Sequence, residues 1–186
     1  MTNMTRINNK RGFTLIELLV VVSIIGLLAS IVLASLSDAK NKAVNTAINN
    51  MVYQYKLALE LYSANNNGAY PLTNDGVFYC LGTYSDDCGL STGPGTVNPS
   101  LNTALSTYIN NFPPVSPSPF VYGSSGDTVL GATYRCLASS PCSRALIIWW
   151  LKGVDQKCLF DAVSANVPAS PNTPTVTRCT WTLNPA

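Results

Sequence analysis

One carboxylic acid, Glu17, stands near the start of an apolar segment that carries no other charge. The segment has 24 residues, from Phe13 to Leu36, and about 20 apolar residues are enough to span a bilayer as a helix. An ionisable side chain inside a span costs about 3 kcal/mol or more and is by default a functional residue. Glu17 is therefore a candidate functional residue. The alternative is that its carboxyl group merely reaches the interface or is protonated.

Two basic residues and a glycine, Lys10, Arg11 and Gly12, directly precede this segment. A secretory signal has a shorter apolar core of about 7 to 15 residues with a cleavage site after it. Here the candidate processing point, Gly12, lies before the apolar residues, so the segment would stay with the mature protein. Lys and Arg are retained on the cytoplasmic side of a span. We therefore expect the amino terminus inside and residues beyond about 37 outside.

The six cysteines all follow the apolar segment, and the chain has no histidine. None of them forms a CxxC pair, and zinc sites usually require close Cys or His pairs. Disulfides in an oxidising exterior are therefore favoured over a metal cluster. Six cysteines permit many connectivities, and we predict the sequential one: Cys80 with Cys88, Cys136 with Cys142, and Cys158 with Cys179.

The composition argues against an enzyme. Without histidine neither a Ser-His-Asp nor a Cys-His arrangement can form, and no GxxxxGK[ST] phosphate loop is present. A Ser-Lys pair or a carboxylate dyad stays open on composition alone. We predict no catalytic residue.

Net charge gives little reason to expect nucleic acid as a partner. Three of the 11 Lys and Arg lie in residues 1–12, which leaves eight against nine Asp and Glu in the remaining chain. No strongly basic patch remains to neutralise phosphates. The alternative is a DNA-binding surface of four basic residues beside three tryptophans: Arg135, Arg144, Lys152 and Arg178 with Trp149, Trp150 and Trp181.

We predict no cofactor, with calcium as the alternative. Calcium takes oxygen ligands from carboxylates in loops, and four aspartates are candidates: Asp75, Asp86, Asp87 and Asp127. Their spacing is not that of an EF-hand, so polar turn residues are the competing interpretation.

The elements that position these residues begin with one long helix. Apolar residues recur at helical spacing beyond the segment, at Val44, Ile48, Met51, Tyr55, Ala58 and Tyr62. Residues 37–64 contain neither Gly nor Pro, so a transmembrane half over 13–36 and an amphipathic half over 37–64 can form one helix of about 75 Å. The string SANNNGAYP should end it, because Asn and Gly favour left-handed caps and Pro71 cannot continue a helix.

The remaining residues, 65–186, predict a small head. A helix is predicted over Leu101–Asn110, and the strand candidates are Thr133–Leu137, Ala145–Leu151, Lys157–Val163 and Val176–Leu183. The turn KGVDQ suits a hairpin between the second and third strands. An antiparallel sheet packed on the long helix follows, which makes the fold α+β. The strand ALIIWWL is apolar on both faces, so its second face is covered either by the chain itself or by another subunit.

The string KRGFTLIELLVVVSIIGLLA resembles the class III signal of type IV pilins and type II secretion pseudopilins. The resemblance implies that a prepilin peptidase cuts after Gly12 and that Phe13 becomes N-methylated. It also implies that Glu17 meets the amino terminus of a neighbouring subunit during assembly. The chain departs from the family at Ala34, where many relatives have a helix-bending proline.

Two further strings are similar to the same family. ALELYSANNNGAYP resembles the helix end of the major subunit of type II secretion pseudopilins, and LSTYINNFPPVSPSPFVYGSS resembles its short helix and proline-containing loop. Val115 and Ser116 stand where relatives often place an acid. The region closed by the predicted Cys158–Cys179 pair resembles the disulfide-bounded region of many pilins.

The resemblance implies a pilin-like structural subunit of a type IV pilus or a type II secretion-like pseudopilus. Its expected partners are copies of itself, other pilins, the prepilin peptidase, an inner-membrane assembly platform and, before assembly, membrane lipid. It would lie in the cytoplasmic membrane and then in an extracytoplasmic or cell-surface filament. The alternative is a single-span anchored extracytoplasmic domain that binds a ligand or DNA and does not polymerise.

Overall fold

The structure, a computed structural model, describes residues 12–74, 77–82, 96–112, 120–122, 127–129, 131–137, 140–159, 161–167 and 176–184. Two helices lie in these ranges, α1 (Leu15–Asn65) and α2 (Pro99–Ser106). The strands are β1 (Tyr79–Cys80), β2 (Thr96–Val97), β3 (Phe120–Tyr122), β4 (Asp127–Val129), β5 (Thr133–Cys136), β6 (Ala145–Lys152), β7 (Val163–Val167) and β8 (Val176–Leu183). The chain divides into two compact units, Met1–Lys40 and Asn41–Ala186. We call the second the head unit.

Helix α1 runs through the apolar and the amphipathic sequence without interruption, as predicted. It has 51 residues and is also helical at Ala34. It ends at the predicted place, because Asn67 and Gly68 adopt positive φ values of 54° and 78°. The Gly68 amide donates to the Ser63 carbonyl at 2.9 Å, which pairs one of the carbonyls that a helix end leaves open.

The main sheet has six strands in the order β2-β1-β5-β6-β8-β7. The β1–β2 pair is parallel, and the other neighbours are antiparallel. The longest ladder joins β6 and β8, from Ala145 opposite Leu183 to Lys152 opposite Val176. Strands β3 and β4 form a separate antiparallel pair. The predicted α+β fold with a small, largely antiparallel sheet is confirmed.

The predicted strand Lys157–Val163 and its hairpin with the preceding strand are wrong. The strand in this region, β7, begins at Val163, and β6 pairs with β5 and β8. The reason is that side chains form hydrogen bonds with backbone groups that strand pairing would otherwise use. The Gln156 amide donates to Thr177 Oγ1 at 3.0 Å, and the Lys157 carbonyl accepts from Asn49 Nδ2 at 3.3 Å.

Helix α2 begins two residues earlier than predicted and ends at Ser106. The Asn98 side chain accepts hydrogen bonds from the amides of Ser100 and Leu101 at 3.0 and 3.1 Å. Pro99 occupies the first turn, where its missing N–H is not needed. This Asn-Pro start fixes the beginning of the helix.

One face of the sheet packs on the amphipathic part of α1. Five of the six residues of the predicted stripe are buried: Val44, Ile48, Met51, Tyr55 and Ala58. On β6 the facing residues Ala145, Ile147, Trp149 and Leu151 are buried in the same core. The period-3.6 stripe of the helix and the period-2 face of the strand meet here, as amphipathic elements require.

The opposite face of β6 is covered within the single chain. Trp150 is 4 % exposed, and Leu146 and Ile148 are half-buried. Of the two alternatives that the sequence left open, coverage by the chain itself therefore agrees with the structure.

Two of the predicted disulfides join described residues. Cys136 bonds to Cys142 and Cys158 bonds to Cys179, with sequence separations of 6 and 21. Cys80 is also disulfide-bonded, and its predicted partner, Cys88, lies outside the described residues. The longer of the two loops ties the segment after β6 to strand β8.

Candidate functional site

The amino-terminal end of α1 is closed by a reciprocal capping pair. Thr14 donates to Glu17 Oε2 twice, from its backbone N at 2.9 Å and from Oγ1 at 2.7 Å. The Glu17 amide in turn donates to Thr14 Oγ1 at 3.3 Å. A capping box of this kind satisfies donors that the first turn of a helix leaves unpaired. Glu17 thus has a structural role in the isolated chain.

The second carboxylate oxygen of Glu17 accepts no hydrogen bond from the described residues. Glu17 itself is exposed, as are Phe13 and Thr14. The capped helix end therefore presents one unoccupied acceptor on the surface. An amine supplied from outside the chain can bind there without breaking the capping pair.

Gly12, the predicted processing point, is exposed and has open space around it. A Cβ built on Gly12 meets no atom of the described chain within 4 Å. Folding therefore does not require glycine at this position, and an external enzyme that reads the residue is one explanation for it. Lys10 and Arg11 lie outside the described residues, so their predicted role stays a prediction.

Helix α1 is long and apolar enough to cross a membrane, and it is the one such helix among the described residues. The most apolar stretch of 18 residues in this helix has a mean hydropathy of 2.8, and none of these residues is buried. Leu15 and Leu27 illustrate this, with 88 % and 65 % of their surfaces exposed. Burying such side chains is strongly favourable, so the segment presents a surface that lipid or another chain can cover.

Thr14 is a residue of this site that the charge pattern does not reveal, although the sequence carries a signal for it. The string TLIE, which opens the apolar segment, is a Thr followed three residues later by Glu, the pattern of a capping box. The charge of Glu17 by itself indicates a function but not this local hydrogen-bond partner. The structure adds a local partner for that charge.

Two helix asparagines, Asn45 and Asn49, were also missed. Asn45 is buried and forms hydrogen bonds with both backbone groups of Lys152. Its side chain accepts from the Lys152 nitrogen at 2.8 Å and donates to the Lys152 carbonyl at 2.9 Å. Asn49 accepts from the indole N–H of Trp149 at 3.0 Å. The two amides therefore fasten α1 to the end of β6.

The tryptophans do not form a surface for stacking bases. Trp149 is fully buried and Trp150 nearly so. Trp181 is half-buried, and the ammonium of Lys56 lies 4.6 Å from its ring centre. Because base stacking needs exposed rings, the structure gives no support to the alternative of a tryptophan-rich DNA-binding face.

The calcium candidates fall mainly on residues that the structure does not describe. Asp75, Asp86 and Asp87 lie outside the described residues, and Asp127 opens β4. Within the described ranges no cluster of three or more metal-binding side chains occurs. The calcium hypothesis therefore stays a prediction.

The geometry defines a class: a chain with a capped, exposed, apolar amino-terminal helix and an α+β head unit. Comparison with known proteins agrees with this class. The model of the family described as "Prokaryotic N-terminal methylation motif" matches residues 7–33. That range contains Gly12, Phe13 and Glu17.

Curated relatives carry two kinds of name. The chain is 40% identical over 70 residues to "Type II secretion system core protein G" of Escherichia coli strain K12, covering 38% of this chain and 48% of that protein. It is 38% identical over 72 residues to the protein of the same name from Klebsiella michiganensis, covering 39% and 50%. It is 30% identical over 105 residues to the "Type IV major alpha-pilin" of Moraxella bovis, covering 56% and 62%.

These findings confirm the resemblance to the type IV pilin and type II secretion pseudopilin family. The chain spans about half the length of the type II secretion relatives it matches. No solved structure matches it.

Proposed function

We propose that the protein is a structural subunit of a type IV pilus or a type II secretion-like pseudopilus. One observation carries the proposal: the amino-terminal methylation motif, matched over residues 7–33, coincides with a helix whose apolar side chains are exposed among the described residues. A subunit that resides in lipid and is then transferred into a helix bundle needs such a surface. The proposed role is structural and not enzymatic.

Processing supplies the group that Glu17 would bind. Cleavage after Gly12 by a prepilin peptidase creates a charged amine at Phe13. In a filament, that amine on one copy would meet the unoccupied carboxylate oxygen of Glu17 on the next copy. Burying the two charges as a pair offsets much of the desolvation cost that each would have alone, and the pair sets the axial register of neighbouring helices.

The remaining partners follow from the same proposal. The subunit would insert with its amino terminus in the cytoplasm and its head unit outside, and it would be moved from lipid into the filament by an inner-membrane assembly platform. Copies of the chain and other pilins would surround it there. The names of the relatives support both a pilus and a secretion pseudopilus.

The mature amino terminus tests the processing step. The protein is expressed in a cell with an active prepilin peptidase, purified from the membrane and analysed by mass spectrometry. We expect N-methylated phenylalanine at residue 13. An intact leader in such cells would contradict the proposal and favour a membrane-anchored domain that does not polymerise.

Two substitutions, Glu17→Gln and Thr14→Ala, separate ion pairing from capping. Gln keeps an oxygen that can accept from Thr14 but removes the charge, whereas Thr14→Ala removes the hydroxyl partner and keeps the charge. Breaking a buried ion pair costs about 3 kcal/mol or more, so Glu17→Gln should insert into the membrane normally and yet be almost absent from sheared filaments. Thr14→Ala should assemble at nearly the normal level. The reverse result would assign the role of Glu17 to helix capping.

A further inference from the structure

The head unit has an open groove beside the amphipathic part of α1. Its volume is about 490 Å³. Lys42 and Thr46 line it from the helix, and Gln156 and Lys157 line it from the segment after β6. No carboxylate lines it among the described residues. The charged residues in its lining are therefore both positive.

The two walls of this groove are joined to each other. Asn49 of the helix donates to the Lys157 carbonyl at 3.3 Å, and Asn45 donates to the Gln156 side-chain oxygen at 3.0 Å. The next residue, Cys158, is held by its disulfide to Cys179. The backbones that carry Lys42 and Lys157 are thus held in place before any ligand binds, which lowers the entropy cost of binding.

Both lysines of the groove lie on the surface and form no ion pair with a described residue. Lys42 and Lys157 are exposed. In the described part of the chain the ion pair is between Lys56 and Glu60, and neither groove lysine takes part in one. Two lysines that line one groove without a carboxylate in its lining favour an anion with several acceptor oxygens, such as a phosphate group.

The position of the groove along the chain places it near lipid phosphates. Lys42 follows Leu36, the last residue of the apolar segment, by six residues. Six residues span about 20 Å at most, and a helical path of the same length covers about 9 Å. Anionic headgroups attract Lys and Arg within a Debye length of about 10 Å. A subunit anchored by the apolar segment therefore holds the groove within reach of the bilayer surface.

We propose that the groove formed by Lys42 and Lys157 binds the phosphate of anionic lipid headgroups while the subunit resides in the membrane. This inference rests on the proposed function, because it requires the apolar segment to span a bilayer. The occupant is a lipid and not a free phosphate, since the anchor keeps headgroups at a high local concentration beside the groove. The contact would hold the head unit against the membrane until assembly removes the subunit from it.

Hydrogen exchange of the full-length chain in lipid nanodiscs tests the proposal. One set of nanodiscs contains phosphatidylcholine alone, and the other contains about one-third phosphatidylglycerol. Each lysine near an anionic surface is worth about a fivefold change in binding. We therefore expect the amides of residues 156–159 to exchange about fivefold or more slowly with phosphatidylglycerol. Lys42→Gln together with Lys157→Gln should abolish the difference, and the matched control Lys56→Gln should keep it.

Three results would overturn the proposal. These are equal exchange in both lipids, an effect that survives the double substitution, and equal protection by millimolar inorganic phosphate in phosphatidylcholine nanodiscs, which would identify a free-anion site. A chain that inserts and yields N-methylated Phe13, but shows no lipid effect, contradicts this inference alone. A chain that does not insert contradicts the proposed function as well.

Discussion

Apolar side chains have opposite surroundings in the two units of this protein. In the first unit Leu27 is 65 % exposed, whereas in the head unit Trp149 has no exposed surface. The head unit therefore supplies the stability of its own fold. The apolar side chains of the first unit are exposed among the described residues. We therefore expect one set of residues to determine the folding of the head unit and another to determine membrane insertion and assembly.

Truncating one large side chain in each unit should show the largest difference between the two units. Trp149→Ala removes a fully buried ring and the partner of Asn49, and such core truncations cost about 3 to 5 kcal/mol. Leu27→Ala should leave the unfolding of the head unit unchanged. Urea unfolding of the detergent-solubilised protein, followed by near-ultraviolet circular dichroism, measures both. Equal destabilisation would show that the two units do not fold separately.

Removing the disulfide between Cys158 and Cys179 should have the second-largest effect on the free energy of unfolding. Its closed loop of about 21 residues contributes on the order of 3 kcal/mol in the chain-entropy account. Replacing both cysteines by Ala should lower the free energy of unfolding by about that amount. The shorter loop between Cys136 and Cys142 should contribute less, and the same double substitution there is the matched comparison. A larger loss from the shorter loop would contradict the entropic explanation.

Asn45→Ala tests the polar connection between helix and sheet. The substitution removes the side-chain amide that accepts from the Lys152 nitrogen and donates to its carbonyl, and each lost hydrogen bond costs about 0.5 to 1.5 kcal/mol. We expect a loss of about 2 kcal/mol in a thermal or urea melt. Asn50, which is exposed on the same helix, provides the control: Asn50→Ala should stay within about 0.7 kcal/mol of the wild type.

The smallest expected effect is a loss of stability of the head unit at alkaline pH. Burial first, and then the neighbouring Tyr70 and Tyr62, raise the pKa of the Tyr134 phenol well above its ordinary value. The unfolded chain ionises near pH 10, so this contribution to stability is fully present below about pH 10 and is lost as the pH rises further. Urea midpoints measured at about pH 8 and pH 10.5 should therefore fall with pH.

Tyr134→Phe separates the phenol from the rest of the chain. It removes the hydrogen bond to the Pro71 carbonyl, 2.7 Å long, and should cost about 1 kcal/mol at pH 8. Its urea midpoint should then depend less on alkaline pH than that of Tyr53→Phe, in which an exposed tyrosine is changed. An unchanged pH dependence would exclude Tyr134 as its source.

Long periodic patterns predicted most of the fold. The helix over 13–64 and the strand Val176–Leu183 agree with α1 and β8 to within two residues, because each pattern is repeated over many positions. Strands β1 and β2 have two residues each, which is too short for any periodicity. They exist because neighbouring strands pair with them.

The candidate site was predicted only in part. The acid at Glu17 was visible as a charge in an apolar segment, and the capping pair with Thr14 was visible in the string TLIE. The partners of Asn45 were not visible, because they lie 107 and 111 residues away in the chain. Contacts of that separation depend on the whole fold and leave no local signal.

The capping pair at the start of α1 has a consequence for maturation. Its donors are the nitrogen and hydroxyl of Thr14 and the amide of Glu17, so the nitrogen of Phe13 is not part of it. Cleavage after Gly12 would convert that nitrogen from an amide into a cation, at the helix end where the macrodipole disfavours positive charge. Glu17 supplies a compensating negative charge one turn away. The helix can therefore keep the same first residue before and after cleavage, and maturation would change the charge of this end without changing its shape.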